Sequence, residues 1–340
     1  MTPREVMAGV FRFEEMSPVP YHIPIDSDVA DRLDRHYGSD SWRQRLIPYL
    51  YGGHYVGHGT GVDVGDGCWK SPYGYVTRDP LSHLEQPALP RPTLDGYRWP
   101  DPESLADWHD LSERYKAADS SFRVCGMSFG FFERAMQLRG IEEVLMDMIE
   151  NPQFVHDLLD GYLSLRLQLI DRIIDRIPVE GIIDGGDDCD QRGPMMGLQR
   201  WQEFIKPRLG AVIDHVHSKG LPVIAHMCGN VRPLVDDLLE LKLDALESLQ
   251  PEAMDIYDLK AVTRGKMVLV GGMGAQSTLP FGTPDEVTTE TFKLLKEMGK
   301  GGGYVLGPSK PLLPDVPTEN AVAFLETALS QKTSAGNADA

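Results

Sequence analysis

The chain is poor in the features that mark several large protein classes. It has four cysteines in 340 residues, Cys68, Cys125, Cys189 and Cys228, and they are far apart. That spacing argues against a disulfide framework and against a C-x-x-C metal knuckle. No stretch approaches the ~18 uninterrupted apolar residues of a membrane span. The opening Met-Thr-Pro-Arg-Glu-Val is not followed by the apolar core of a secretion signal. Basic charge is scarce, with 33 Lys and Arg against 51 Asp and Glu and a formal net charge of −18. A surface that acidic repels phosphate backbones and anionic lipid, so nucleic acid and membrane are not expected as partners. Together these absences lead us to expect a cytoplasmic protein with reduced thiols. No G-x-G-x-x-G fingerprint follows the first clear strand, which weakens a dinucleotide-binding reading.

What the sequence does have is a repeated alternation of short apolar runs and helical patterns. The runs are "FRVCGMS" (122–128), "GIIDGGDD" (181–188), "LPVIAHMCGN" (221–230), "DALESLQ" (244–250), "MVLVGGMG" (267–274) and "GYVLGPS" (303–309). Each is followed by a segment with apolar residues at helical spacing. Pro152 opens one such helix, and Thr283-Pro284-Asp285-Glu286 has the cap, proline and acidic first turn of another. Strand-then-helix repetition implies parallel strands joined by right-handed crossovers. The runs are apolar on consecutive positions, as in strands covered on both faces. Six units are visible, and two more strands are available in "PVPYHIPI" (18–25) and "LIPYLYG" (46–52), so we expect an α/β fold of the (β/α)8 barrel type. Residues 1–331 are expected to form one barrel domain. Within it 53–118 is an irregular insertion packed over one end, anchored by Trp69, Tyr73, Tyr75 and Trp99, and 332–340 is a disordered tail.

In such a barrel the chemistry sits where strands end on the C-terminal face, and those ends are polar here. They carry Glu133; Asp184, Asp187 and Asp188; His226 and Cys228; Glu247 and Gln250; and Gln276. Aspartates in loops commonly cap helices or turn the chain, and a lone histidine in a strand is usually satisfied locally. The His-x-Cys pair stands apart, because alternate strand residues share a face. His226 and Cys228 are expected to aim together into the barrel mouth. Imidazole plus thiolate suits zinc, and the third donor falls to Glu247 or Asp187 on neighbouring loops. His215 and His217 lie within a helix pattern and are expected at the surface. His54 and His58, in a Gly-rich loop, suggest a flap.

The stretches "FFERAMQLRGIEEVLMDM", "GIIDGGDDCDQRGPMM", "QRWQEFIKPRL", "GLPVIAHMCGNVRPLVDDLLELKLDALESLQPEAMD", "LPFGTPDEV" and "GPSKPLLPDVPTENAVAF" resemble the uroporphyrinogen decarboxylase superfamily over most of the chain. The resemblance implies a (β/α)8 barrel with its site at the C-terminal mouth. The N-terminal Arg-Gln-Ala-Gly-Arg-Tyr element of true uroporphyrinogen decarboxylases has no counterpart in "PVPYHIPIDSDVADRL". The chain is more similar to the zinc-dependent, corrinoid-linked methyltransferases, whose His-x-Cys ligands match His226 and Cys228. Their later Cys would fall near "VLGPSKPLLP" (305–314), which has none, and Gly274 stands where relatives often carry Asp. The resemblance implies transfer of a methyl group between a small methylated compound and a corrinoid carried by a partner protein. On this reading His226, Cys228 and Glu247 hold zinc, and Asp187, Asp188 and Glu133 are catalytic, an aspartate serving as general acid. Asp184, Arg192, Gln250 and Gln276 bind substrate. The alternatives are a metal-independent decarboxylase of a tetrapyrrole or smaller carboxylate, and a non-catalytic corrinoid or tetrapyrrole binder.

Overall fold

The computed structural model describes residues 1–78 and 84–331; the 332–340 tail lies outside them. Among the described residues there are twelve strands: β1 (Leu50–Tyr51), β2 (Tyr55–Val56), β3 (Val62–Gly65), β4 (Cys68–Lys70), β5 (Val76–Thr77), β6 (Leu84–Gln86), β7 (Phe122–Met127), β8 (Gly181–Gly185), β9 (Val223–His226), β10 (Ala245–Leu249), β11 (Val268–Met273) and β12 (Tyr304–Pro308). The last six are the six runs read from the sequence, and they pair in parallel in chain order. Every residue of β7, β11 and β12 is buried. Helices cover the outside of the ring, and residues such as Ile182, Val223 and Val268 lose all contact with water. Fully burying one such side chain contributes about 1.5–3 kcal/mol.

The two N-terminal positions complete the barrel in an unusual way. β1 and β2 both pair with β7, so together they fill one position in the ring. The 18–25 segment fills the last and runs parallel to β12, with bridges Tyr21–Leu306 and Ile25–Leu312. Leu306 N–H donates to Pro20 O at 2.9 Å, and His22 N–H donates to Leu306 O at 2.8 Å. Pro18, Pro20 and Pro24 supply no N–H, which limits this edge to isolated bridges. The seam between 18–25 and β1 is closed by side chains. The Tyr21 and Tyr49 rings meet edge-on at 5.2 Å, and Ile47 N–H donates to Tyr21 Oη at 2.8 Å. The fold is a (β/α)8 barrel.

Between 53 and 118 lies a small antiparallel sheet of order β3-β4-β5-β6, followed by the helix Trp108–Ala117. Tyr73 and Tyr75 are buried, and Trp99 stacks on Tyr162 of the long helix Pro152–Arg176 at 5.8 Å. Trp69 remains 37% exposed. The helix Pro284–Glu297 carries the reciprocal cap between Thr283 and Glu286 that its sequence announces.

Candidate functional site

At the C-terminal ends of the strands lies a cavity of about 420 Å3. Its lining draws on seven of the eight ring positions: His22 and Pro24, Tyr55, Ile183 and Asp187, His226 and Cys228, Glu247, Val270, and Gly307 to Pro311. A larger cleft of about 970 Å3, lined by His58, Trp108 and Arg176, lies beside it and shares Tyr55.

One wall of the cavity is built by β8, β9 and β10. β9 ends at His226, and the chain then brings Cys228 Sγ to 3.7 Å from His226 Nε2. Asp187 Oδ1, two residues past the end of β8, lies 3.9 Å from the same nitrogen. One ligand atom from each of Asp187, His226 and Cys228 falls within 4.8 Å of the others, the only such cluster among the described residues. Glu247 sits on the far side of the ring, with Nδ1–H donating to Oε1 at 3.2 Å. That contact leaves Nε2 as the free imidazole donor. Of the two third-donor candidates, Glu247 therefore faces Nδ1, and Asp187, also expected as a proton donor, falls in the cluster.

Burial disfavours the charged imidazolium of His226, but its bonds with Cys228 and Glu247 outweigh this and push its pKa up. Glu247 is likewise pushed up by burial, and His226 overrides this to hold it below its usual value. Glu247 Oε2 is buried without a partner.

The loops that carry these groups are tied down. Glu133 Oε2 accepts from Gly130 N–H at 2.8 Å and from Asp187 N–H at 3.1 Å. Asp187 Oδ1 accepts from Cys228 N–H at 3.2 Å. Gln250 Oε1 accepts from Gly229 N–H at 3.0 Å, while Gln250 Nε2 donates to Gln276 Oε1 at 2.8 Å. Gly229 has a φ of +81°, and a side chain there would run into the Cys189 and Asp190 carbonyls, so glycine is required for this close approach. Asp188 lies outside the cavity lining. Its Oδ2 accepts from Trp201 Nε1 at 2.8 Å, and its Oδ1 is buried without a partner. Burial raises its pKa to about 7, so a substantial fraction carries a proton near neutrality. Trp201 opens a π-type turn, Trp201–Ile205, within the helical stretch after β8, a distortion frequent at functional sites.

The four residues expected to bind substrate lie outside the cavity lining. Asp184 is 3% exposed and ion-paired with Arg166, because it alternates with the cavity-lining Ile183 and so points outward, where it meets a buried guanidinium from the long helix. Arg192 projects into solvent beside Asp190, its side chain 91% exposed. Gln250 and Gln276 bond to each other and, through Gln191, brace the rim. His215 and His217 are half-buried and paired with Asp171 and Asp244. His54 contacts Tyr51, and His58 packs on Phe129, neither near the cluster.

Sequence reasoning missed His22, Tyr55, Lys310, Trp201 and Arg166. His22 and Lys310 lay within quoted stretches and became visible once the ends of their own strand positions were considered. Nothing in the sequence marks Tyr55, Trp201 or Arg166.

The chain is similar to known proteins at three levels. The profile of the family "Uroporphyrinogen decarboxylase (URO-D)" matches residues 74–330. Among curated proteins, the uroporphyrinogen decarboxylase of Pseudomonas fluorescens (strain Pf0-1) is 27% identical over 186 residues, 52% of this chain and 48% of that protein. That of Hydrogenovibrio crunogenus is 25% identical over 195 residues, 54% and 51% respectively. The chain thus spans about half the length of the curated relatives it matches. Among solved structures, a methyltransferase from Methanosarcina mazei superposes with a TM-score of 0.69 over 96% of this chain and 98% of that one, at 17% identity. At that identity the superposition speaks for the fold, a (β/α)8 barrel aligned nearly end to end. With the profile match covering most of its length, the chain belongs to the uroporphyrinogen decarboxylase (URO-D) family.

Proposed function

We propose that this URO-D family member is a zinc-dependent methyltransferase that moves a methyl group between a small methylated compound and a corrinoid protein. The observation that carries the reading is the convergence of Asp187, His226 and Cys228 on one side of an enclosed cavity. A carboxylate, an imidazole and a thiolate form a donor set that zinc accepts readily. Ligands of one tetrahedral zinc lie roughly 3.3–3.8 Å apart, close to the spacings of 3.7 and 3.9 Å measured from His226 Nε2. Asp187 Oδ1, His226 Nε2 and Cys228 Sγ would hold the ion, and the missing later cysteine of related sequences is then replaced by a carboxylate. When bound, zinc would lower the pKa of a substrate thiol or hydroxyl and so provide a nucleophile or leaving group at neutral pH.

The protein's own groups have distinct tasks in this reading. Glu247 keeps the proton on Nδ1 and so keeps Nε2 available. Glu133 fixes Asp187 through its backbone, and Gln250 fixes the turn after Cys228. Ile183, Val270 and Pro308 form apolar walls of the cavity beside these groups.

Incubation with methylcobalamin and small thiols, followed by the cobalamin absorbance, tests the reading. Demethylation that disappears in Cys228→Ser supports it. Absence of turnover in protein that also lacks zinc but decarboxylates a small carboxylate would favour the metal-independent alternative.

A further inference from the structure

The wall of the cavity opposite the triad has its own chemistry. In an eight-membered ring, positions four apart face each other. The 18–25 segment therefore faces β9, which carries His226, and β12 faces β8, whose loop carries Asp187. These two opposing positions bring His22 and Lys310 to the cavity. They come from adjacent ring positions, joined by the bond from His22 N–H to Leu306 O. Lys310 is the one Lys or Arg in the lining, and among the described residues nothing pairs with it. Among the described residues the His22 ring likewise makes no hydrogen bond, and burial keeps it neutral against the charge of Glu247.

We infer that the cavity holds its small substrate at both ends, the methyl-bearing atom at Asp187, His226 and Cys228 and a carboxylate at Lys310 and His22. The assignment rests on the proposed function in placing the reacting end at the triad, and it adds the class of substrate and the residue that selects it. The ammonium supplies charge and three donors, and the imidazole supplies one N–H in either tautomer. A charge-assisted bond of this kind orients a short substrate lengthwise across the cavity. With one cation and one imidazole on this wall, a single carboxylate is matched. An octa-carboxylate macrocycle is not.

The test uses two thiols of equal chain length, 3-mercaptopropionate and 3-mercapto-1-propanol, titrated calorimetrically into the purified protein, with zinc measured on the same samples. The wild type is expected to bind the anionic thiol about fivefold or more tightly than the neutral one. Lys310→Ala should abolish that preference while leaving affinity for the neutral thiol within about twofold, and Lys310→Arg should retain it. Lys310 is exposed, so neither variant threatens the fold. Equal affinities in the wild type, a preference that survives Lys310→Ala, or no binding of either thiol overturns the inference. A preference that depends on Lys310 in protein without zinc would retain this inference and remove the proposed function; zinc without the preference would do the reverse.

Discussion

Asp184 and Asp187 stand three residues apart at the end of one strand, yet they belong to different kinds of charged cluster. Asp184 is buried against Arg166, whose Nη1 also donates to Phe129 O at 2.6 Å and to Tyr162 Oη at 2.9 Å. Arg134 beside it stacks on Tyr73 at 3.7 Å and donates to Gly57 O. In this cluster Asp184 Oδ1 accepts from Arg166, the atoms left without partners are donors, Arg134 Nε and Arg166 Nε, and Asp184 lines none of the described cavities. Around Asp187 the opposite holds. The side chain is 45% exposed to the cavity, and neighbouring carboxylates keep unpartnered oxygens, Asp188 Oδ1 and Glu247 Oε2. Buried acceptors normally find donors. The comparison separates a carboxylate that completes the fold from one placed for an additional partner.

The comparison breaks first at Cys228. Cys228→Ser should lower methyl-transfer turnover at least about a hundredfold while the melting temperature changes little, since the residue lies beyond the strand end. Asp184→Ala should act in the reverse sense. It leaves Arg166 buried without its carboxylate, a loss of about 3–5 kcal/mol in denaturant unfolding, with zinc retained by the folded fraction. Glu247→Gln sharpens the distinction, because it touches the imidazole only through Nδ1. It should weaken zinc binding by about 10–100-fold in a chelator competition and leave the fold intact.

The smallest effect concerns the closed end of the barrel. Lys260 is buried there, donating to Gly302 O and Gly303 O, and burial lowers its pKa to about 8. Its unfolded value, 10.5, is higher. As pH rises from 8 to 10.5 the folded chain releases a proton that the unfolded chain still holds, so stability grows over that window and is lost again as pH falls through 8. Lys260→Met should flatten this alkaline rise in the melting temperature.

Much of the ring was legible because both-face burial writes itself as consecutive apolar residues, from Phe122 to Pro308. The N-terminal positions were harder to place. Prolines at 18, 20 and 24 break the ladder, and β1 and β2 are two residues each, too short for a period to register. Within the site, His226 and Cys228 were legible from alternation along one strand. The roles of Asp187 and Glu247 were not, because they depend on which ring nitrogen each loop reaches. Nothing local announces the ion pair of Asp184, because Arg166 arrives from a helix 18 residues earlier in the chain. Lys310 was hidden because the group it faces lies four strands round the ring.

The most direct measurement is the metal content of the wild-type protein purified without chelator, set beside Asp187→Ala. The account predicts about one zinc per wild-type chain and a large loss in the variant with its fold unchanged. A wild-type protein without zinc, or a variant that keeps its full complement, would contradict it.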